Sequence, residues 1–308
     1  DKMEKPKIVV VGSSNTDMVI KLERLPGPGE TILGEDFIMA AGGKGANQAV
    51  AAARLGGDVT FVARVGADIF GKQAIQNFQK EGVNTDFIVM DNKNPSGVAL
   101  IFVDKKGENT IAVASGANNK LSKQDVAAAK QKIESANVML LQLETPLETV
   151  QYAARLASEA GVKVVLNPAP ARELDETLLR TITVLTPNES ETELLTGIKV
   201  EDEESAIRAA EVLKEKGVSE IIITMGAKGS FLIRDNKAIL IPTKEINAID
   251  TTAAGDAFNG ALSYALAKKE PLDKAVRFAN LVGALSATKL GAQPSMPTYD
   301  ELRSFSNA

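Results

Sequence analysis

Short continuous apolar runs alternate along most of the chain with longer stretches whose apolar residues recur at helical spacing. The runs predict strands over 7–11, 59–65, 138–143, 163–166, 184–186 and 221–225. The spaced stretches predict helices over 47–55, 70–81, 147–160, 203–216, 256–268 and 272–288. Gly217 stands where a left-handed residue would stop the fourth of these helices, and Pro271 opens the last. Ile221, Ile222 and Ile223 leave no polar face, as expected of a strand covered on both sides. This alternation of strand and helix predicts a mostly parallel sheet between two helix layers.

Two segments break the rhythm. Residues 17–40 read as short strands around a Pro-Gly turn, and residues 97–114 as a hairpin about the turn 105–108. They form either edge strands of the main sheet or a small separate sheet acting as a lid. Residues 1–5 read as a disordered end, and no internal repeat or low-complexity tract is present.

The chain has 308 residues, room for one large α/β domain or at most two. A hydrophobic content of 44% supports a sizeable core, which aromatics at 4% leave to aliphatic side chains and Ala. There is no Cys, which excludes disulfides, thiolate metal sites and cysteine nucleophiles. There is no His, which excludes Ser-His-Asp hydrolysis and imidazole metal ligation. Any acid–base chemistry therefore falls to carboxylates, Lys or Tyr. A net charge of −5 argues against a nucleic-acid partner, and no apolar run approaches the ~20 residues of a membrane span. The first apolar run is too short for a signal-peptide core, so a cytoplasmic location is expected.

A phosphate-binding GxxxxGK[ST] loop is missing, and the turn after the first strand, Gly12-Ser13-Ser14-Asn15-Thr16-Asp17, is not a dinucleotide fingerprint. Asn15 and Asp17 lie just past the carboxyl end of that strand, where open α/β sheets bind ligands. An amide and a carboxylate there suit neighbouring hydroxyls of a polyol, although the same residues are ordinary in turns. Gly42-Gly43-Lys44-Gly45-Ala46-Asn47 packs glycines at a helix entry, which predicts a loop whose backbone N–H groups approach a ligand. Small residues from Thr251 to Gly255 lead into the helix beginning near Asp256. That leaves a helix N-terminus sterically open as an anion site beside a fixed carboxylate, an arrangement suited to phosphoryl transfer.

GGKGANQA at 42–49, TPNE at 186–189 running on to Glu191, and DTTAAGDAFNGAL at 250–262 resemble the signatures of the ribokinase-like carbohydrate kinases, a family that includes fructokinases and adenosine kinase. The resemblance runs from the first strand to GAQPSMP at 291–297, with Ala253 departing from the family's Gly-Ala-Gly-Asp. It implies a ribokinase-like three-layer α/β sandwich, one domain over 1–308, with lid strands from about 17–40 and 97–114. By the same resemblance Asp256 is the catalytic base and Ala253, Ala254 and Gly255 form an anion hole. Asn15, Asp17, Gly43, Lys44, Gly45, Ala46, Asn47 and Glu144 match sugar contacts. Asn188, Thr224, Met225, Gly226, Ala227, Lys228, Gly229, Gly255 and Asn280 match nucleotide contacts. Glu191 matches a residue tied to Mg²⁺ through water. Asp250, Thr252, Ser286, Lys289, Gly291 and Ser295 match a monovalent-cation site for K⁺, with Lys289 limited to its backbone carbonyl. The implied activity is ATP-dependent phosphorylation of D-ribose at its 5-hydroxyl by a homodimer joined through the lid. Other sugars or a nucleoside as acceptor, a non-catalytic sensor on the same fold, and a Rossmann-type oxidoreductase are the alternatives.

Overall fold

Alternate side chains of a buried strand point to opposite faces, and β1 (Lys7–Val11) shows how two helix layers follow from that. Ile8 and Val10 enter one apolar cluster, Val9 and Val11 the other, and all four are almost completely buried. The computed structural model describes residues 4–307, so the expected disordered end over 1–5 falls mostly outside the described residues. After β1 the strands are β2 (Asn15–Lys21), β3 (Phe37–Gly42), β4 (Asp58–Gly66), β5 (Ile88–Asp91), β6 (Gly97–Val103) and β7 (Asn109–Ala114). They continue with β8 (Val138–Leu141), β9 (Lys163–Leu166), β10 (Val184–Leu185), β11 (Glu220–Thr224), β12 (Ser230–Arg234) and β13 (Lys237–Ile241). The first helices are α1 (Lys44–Arg54), α2 (Ile69–Lys80), α3 (Lys123–Ala128), α4 (Lys130–Glu134), α5 (Leu147–Glu159) and α6 (Glu176–Leu179). The others are α7 (Glu189–Thr196), α8 (Glu203–Glu215), α9 (Ala254–Ala267), α10 (Leu272–Ala287) and α11 (Tyr299–Asn307).

Nine strands form the main sheet in the order β13-β12-β11-β10-β9-β8-β1-β4-β5. Pairing is parallel from β11 through to β5, and only the β11–β12 and β12–β13 pairings are antiparallel. Helices α1, α2, α9, α10 and α11 share the cluster on one face, and α3 to α8 the cluster on the other. Strand order reverses at β1, which lies between β8 and β4 and therefore places a crevice at their carboxyl ends. Among the described residues no helix is long and apolar enough to cross a membrane.

The two segments that break the alternation do form a separate sheet, ordered β3-β2-β6-β7, with β2 and β6 parallel at its centre. Asn15 and Asp17 are therefore strand residues of β2, which excludes the turn reading. The antiparallel pair β12–β13 was not expected. Its hairpin turns on Asp235 and Asn236, both in the left-handed region (φ 50° and 56°), where short polar side chains are tolerated. The strand expected over 138–143 ends at Leu141, where Gln142 turns to the buried Gln48 amide and Glu144 turns into the crevice.

Helices α1 and α9 pack at close range through Gly260. A Cβ there would lie 2.6 Å from the Ala51 Cβ and 2.8 Å from the Gln48 carbonyl oxygen. This contact sets the distance between the side chains of Asn47 and Gln48 on α1 and the first turn of α9. Gly260→Ala should therefore lower stability by about 1–2 kcal/mol, the overpacking penalty less the gain in helix propensity. A melting temperature equal to or above wild type would show that the two helices separate without strain.

Candidate active site

The first turn of a helix presents N–H groups that need acceptors, and the two helices meeting in the crevice treat them in opposite ways. At the start of α1 every one is used inside the protein. Lys44 N donates to Glu144 Oε2 (3.0 Å), Gly45 N to Ser13 Oγ (3.3 Å), Ala46 N to the Ser13 carbonyl (2.8 Å) and Asn47 N to the Gly43 carbonyl (2.9 Å). The glycines make this seam possible. Gly43 has φ 91°, and a Cβ on Gly45 would approach Ser13 N to 2.6 Å. These four N–H groups hold α1 to the link between β1 and β2, while Gly43 N has no acceptor among the described residues.

At the start of α9 the groups remain open. Ala254 N reaches the Thr251 carbonyl at 3.2 Å and Ala257 N the Ala253 carbonyl at 2.9 Å. Gly255 N and Asp256 N have no acceptor among the described residues. Gly255 is exposed, and a Cβ built on it meets nothing within 4 Å. From behind, Asn259 Nδ2 donates to the Gly255 carbonyl (2.9 Å) and Thr186 Oγ1 donates to Asn259 Oδ1 (2.6 Å). The helix end is thus anchored from within and free on its outer side, as an anion site requires.

Asp256, in the same turn, is buried at 6% exposure. Asn47 Nδ2 donates to its Oδ2 (2.9 Å) and Gln48 Nε2 to its Oδ1 (3.0 Å). Burial pushes this carboxyl upward from the ordinary range, while the Lys44 ammonium and the two amides act in the opposite direction. Asn47 Oδ1 is buried without a hydrogen-bond donor among the described residues, the polar complement of a hydroxyl group.

Asp17 reaches the crevice from β2, and Glu144 from the turn after β8. Burial lifts Asp17 to about 6, with Glu144 and Asp256 adding to the rise. Ser13 Oγ donates to Glu144, on the same oxygen that accepts from Lys44 N. Asn15 Oδ1 accepts from Asn118 Nδ2 (2.7 Å), leaving the Asn15 amide N–H groups for another partner. Three carboxylates and two amides therefore face one another. Even so, no group of three His, Cys, Asp or Glu side chains among the described residues is arranged to hold a metal ion. Such a set suits a polyol better than a multivalent cation.

Farther along the same edge, Asn188 caps α7: its Oδ1 accepts from Glu191 N (2.8 Å), and Glu191 Oε2 faces Asn188 N (3.4 Å). Glu191 is 5% exposed, and burial raises its carboxyl to about 7 against the opposing field of Lys44. One ammonium thus acts on both Asp256 and Glu191. Thr224 ends β11, with its N–H on the Pro187 carbonyl, and Met225, Gly226, Ala227, Lys228 and Gly229 form the tight link to β12. Asn280 donates to the Ile241 carbonyl (2.9 Å) and accepts from Ser230 Oγ (2.7 Å), so it also ties α10 to the β12–β13 pair.

The positions matched to a cation site converge from three segments. Asp250 accepts from Thr252 N (2.9 Å) and Gly291 N (3.0 Å), Ser286 and Ser295 hydroxyls meet at 2.9 Å, and Asp250 N donates to the Ala287 carbonyl (3.2 Å). The Lys289 ammonium pairs with Glu301 at 2.7 Å instead of turning toward Asp250. Sequence reasoning missed Gln48, Gln142, Asn167, Asn118 and Ser13. A Gln inside an Ala-rich helix face was the one available signal, since a polar side chain on a buried stripe needs partners.

A family model described as pfkB family carbohydrate kinase matches residues 5–299. A ribokinase of Haemophilus influenzae is 47% identical over 298 residues, covering 97% of this chain and 97% of the relative. A deoxyribokinase of Salmonella typhi is 38% identical over 299 residues, covering 97% of this chain and 98% of the relative. Among solved structures, Arabidopsis thaliana ribokinase complexed with ribose and ATP superposes with a TM-score of 0.92 at 33% identity, covering 98% of this chain and 99% of that one.

The raised Asp17 carboxyl fixes the sign of a pH effect. Its folded value, about 6, lies above the unfolded value near 3.8, so its contribution favours folding below pH ~4 and is lost as pH rises through about 6. In the sugar-free protein, Asp17→Asn should raise stability at pH 7–8 by on the order of 1–3 kcal/mol, discounted for partial exposure. The difference should vanish near pH 4. Denaturant unfolding at the two pH values checks it, and an equal effect at both would remove the carboxylate from the cluster.

Proposed function

This chain belongs to the pfkB family of carbohydrate kinases, and we propose that it transfers the γ-phosphoryl group of ATP to the 5-hydroxyl of D-ribose, giving ribose 5-phosphate. The observation that carries this reading is a buried carboxylate, Asp256, held by an amide on each oxygen in the first turn of a helix whose end is open. The Arabidopsis thaliana relative that superposes closely is described with ribose and ATP.

Asn15, Asp17, Asn47 and Glu144 hold the sugar through hydroxyl contacts, and its 5-hydroxyl lies against Asp256. That hydroxyl attacks the γ-phosphorus in line, the bond to the β,γ-bridging oxygen breaks, and the hydroxyl proton passes to Asp256 while ADP departs. The transition state is loose, so a weak base is sufficient and electrostatic positioning does most of the catalytic work. Gly255 N and Asp256 N receive charge developing toward the leaving phosphate. Lys44, whose field reaches both Asp256 and Glu191, adds a positive charge to the site. Asn188, the 224–229 link and Asn280 border the nucleotide.

Glu191 suits Mg²⁺ only through water, because it is a single carboxylate, buried, and already engaged by Asn188 N. When bound, the ion would neutralise phosphate charge. Asp250, with hydroxyls and carbonyls around it and Lys289 turned away, suits a monovalent cation such as K⁺. Both faces of the small sheet are apolar: Ile111 and Val113 share a face with Asp17, while Phe37, Met39 and Leu100 are exposed on the other. Such a sheet suits a lid that closes over the sugar and pairs with the lid of a second copy. The absence of Cys is in keeping with a cytoplasmic location.

A coupled ADP-release assay across ribose, 2-deoxyribose, fructose and adenosine, run in K⁺ and in Na⁺ at one ionic strength, tests the reading. Ribose should give the highest kcat/KM, and K⁺ should raise turnover. Asp256→Asn should lower kcat by ~10²–10⁴ while changing ribose affinity only a few-fold. Preference for another acceptor would overturn the substrate, equal rates in the two salts the cation site, and a variant keeping a tenth of wild-type activity the assigned base.

A further inference from the structure

The described site accounts for the amide of Asn47 but not for the buried amides behind it. Gln48 has no exposed surface and Gln142 only 1%, and neither side chain opens onto the crevice surface. Gln48 Nε2 uses both hydrogens, one on Asp256 Oδ1 (3.0 Å) and one on Asn167 Oδ1 (3.0 Å). Its Oε1 accepts from Gln142 Nε2 at 2.7 Å. Gln142 Oε1 is then left buried without a donor among the described residues.

We propose that Gln142, Gln48 and Asn167 form a one-directional amide chain that positions Asp256, fixing its carboxylate so that each oxygen keeps a lone pair for the acceptor hydroxyl. The inference rests on the reading of Asp256 as the base. An ionised carboxylate only accepts, so Gln48 must turn its nitrogen toward Asp256 and its oxygen toward Gln142. Gln142 must then present its nitrogen. Flipping it would set two amide oxygens against each other, so the unpartnered Oε1 is the consequence of holding the chain in this direction. An unsatisfied buried acceptor is unfavourable, which makes its presence behind a carboxylate informative.

The chain also stabilises the charged form of Asp256. The groups whose fields reach that carboxyl are Lys44 from α1, which favours ionisation, Glu144 from the turn after β8, which opposes it, and Asp17 from β2, which is itself raised by Asp256. Gln48 and Gln142 are therefore positioning residues, and a purely packing role predicts a different outcome.

The test is a ¹³C NMR titration of Asp carboxylates in the unliganded protein, with Asp256 assigned from Asp256→Asn, alongside the pH profile of kcat/KM. Gln48→Met keeps the volume and removes the donor. It should move the Asp256 titration and the acid limb upward by about one pH unit and lower plateau kcat roughly tenfold, with KM for ribose changed only a few-fold. Gln142→Met should act in the same direction but less, and the double variant should match Gln48→Met alone, because Gln142 acts through Gln48. A lower melting temperature with an unmoved titration and acid limb would overturn the proposal, as would additive effects in the double variant. Should Gln48→Met fail to fold, Gln142→Met carries the same test, and an unmoved titration in it overturns the chain. The titration needs no substrate, so a failure of the kinase reading would appear separately, as absent turnover in the wild-type protein.

Discussion

The site depends on one contact: α1 and α9 approach closely enough for Asn47 and Gln48 to hold Asp256 by both oxygens. A buried carboxylate without donors would take up a proton and lose its use as a base. Two amides and a nearby ammonium oppose that tendency at Asp256. Gly260 permits the approach, the seam from Ser13 to Ala46 fixes the other end of α1, and the topological reversal at β1 brings both helices to one crevice. Fold, packing and site chemistry thus share a single geometric requirement.

Two helix N-termini in one crevice carry different tasks because their N–H groups meet different neighbours. Those of α1 are consumed by Glu144, Ser13 and Gly43, which converts that end into a rigid platform for side chains. Those of Gly255 and Asp256 stay open, which leaves the positive end of α9 for an anion. On the proposed reading, the groups assigned to the sugar and those assigned to the phosphate are therefore adjacent but physically distinct, and Asp256 belongs to both.

Much of this could be read from the chain. The apolar runs and spaced helices gave the parallel core, and the irregular stretches around 17–40 and 97–114 marked the small sheet, since a sheet apart from the main one breaks the strand–helix rhythm. Asp256 and the Ala-Ala-Gly approach stood out because small residues leave a helix start sterically open beside a carboxylate, and the Asn15–Asp17 pair because it lies just past the carboxyl end of the first strand. The glycines at 42–45 also stood out, but the backbone contacts their region makes to Ser13 and Glu144 link residues 32 and 100 apart, which no spacing rule connects. Gln48, Gln142, Asn167 and Asn118 were silent for the same reason. A buried amide is defined by partners distant in sequence, and only the folded chain brings them together.

The most direct measurement of the central claim is the pair of values, melting temperature and kcat, for Gly255→Ala. A Cβ at that position meets no protein atom within 4 Å and adds helix propensity, so the melting temperature should equal or exceed that of wild type. The same methyl group would stand in the space given to the leaving phosphate, so kcat for ribose phosphorylation should fall by roughly 10²-fold, the scale of losing an oxyanion-type donor. Unchanged turnover in a stable Gly255→Ala protein would contradict the open end of α9 as the site of phosphoryl transfer.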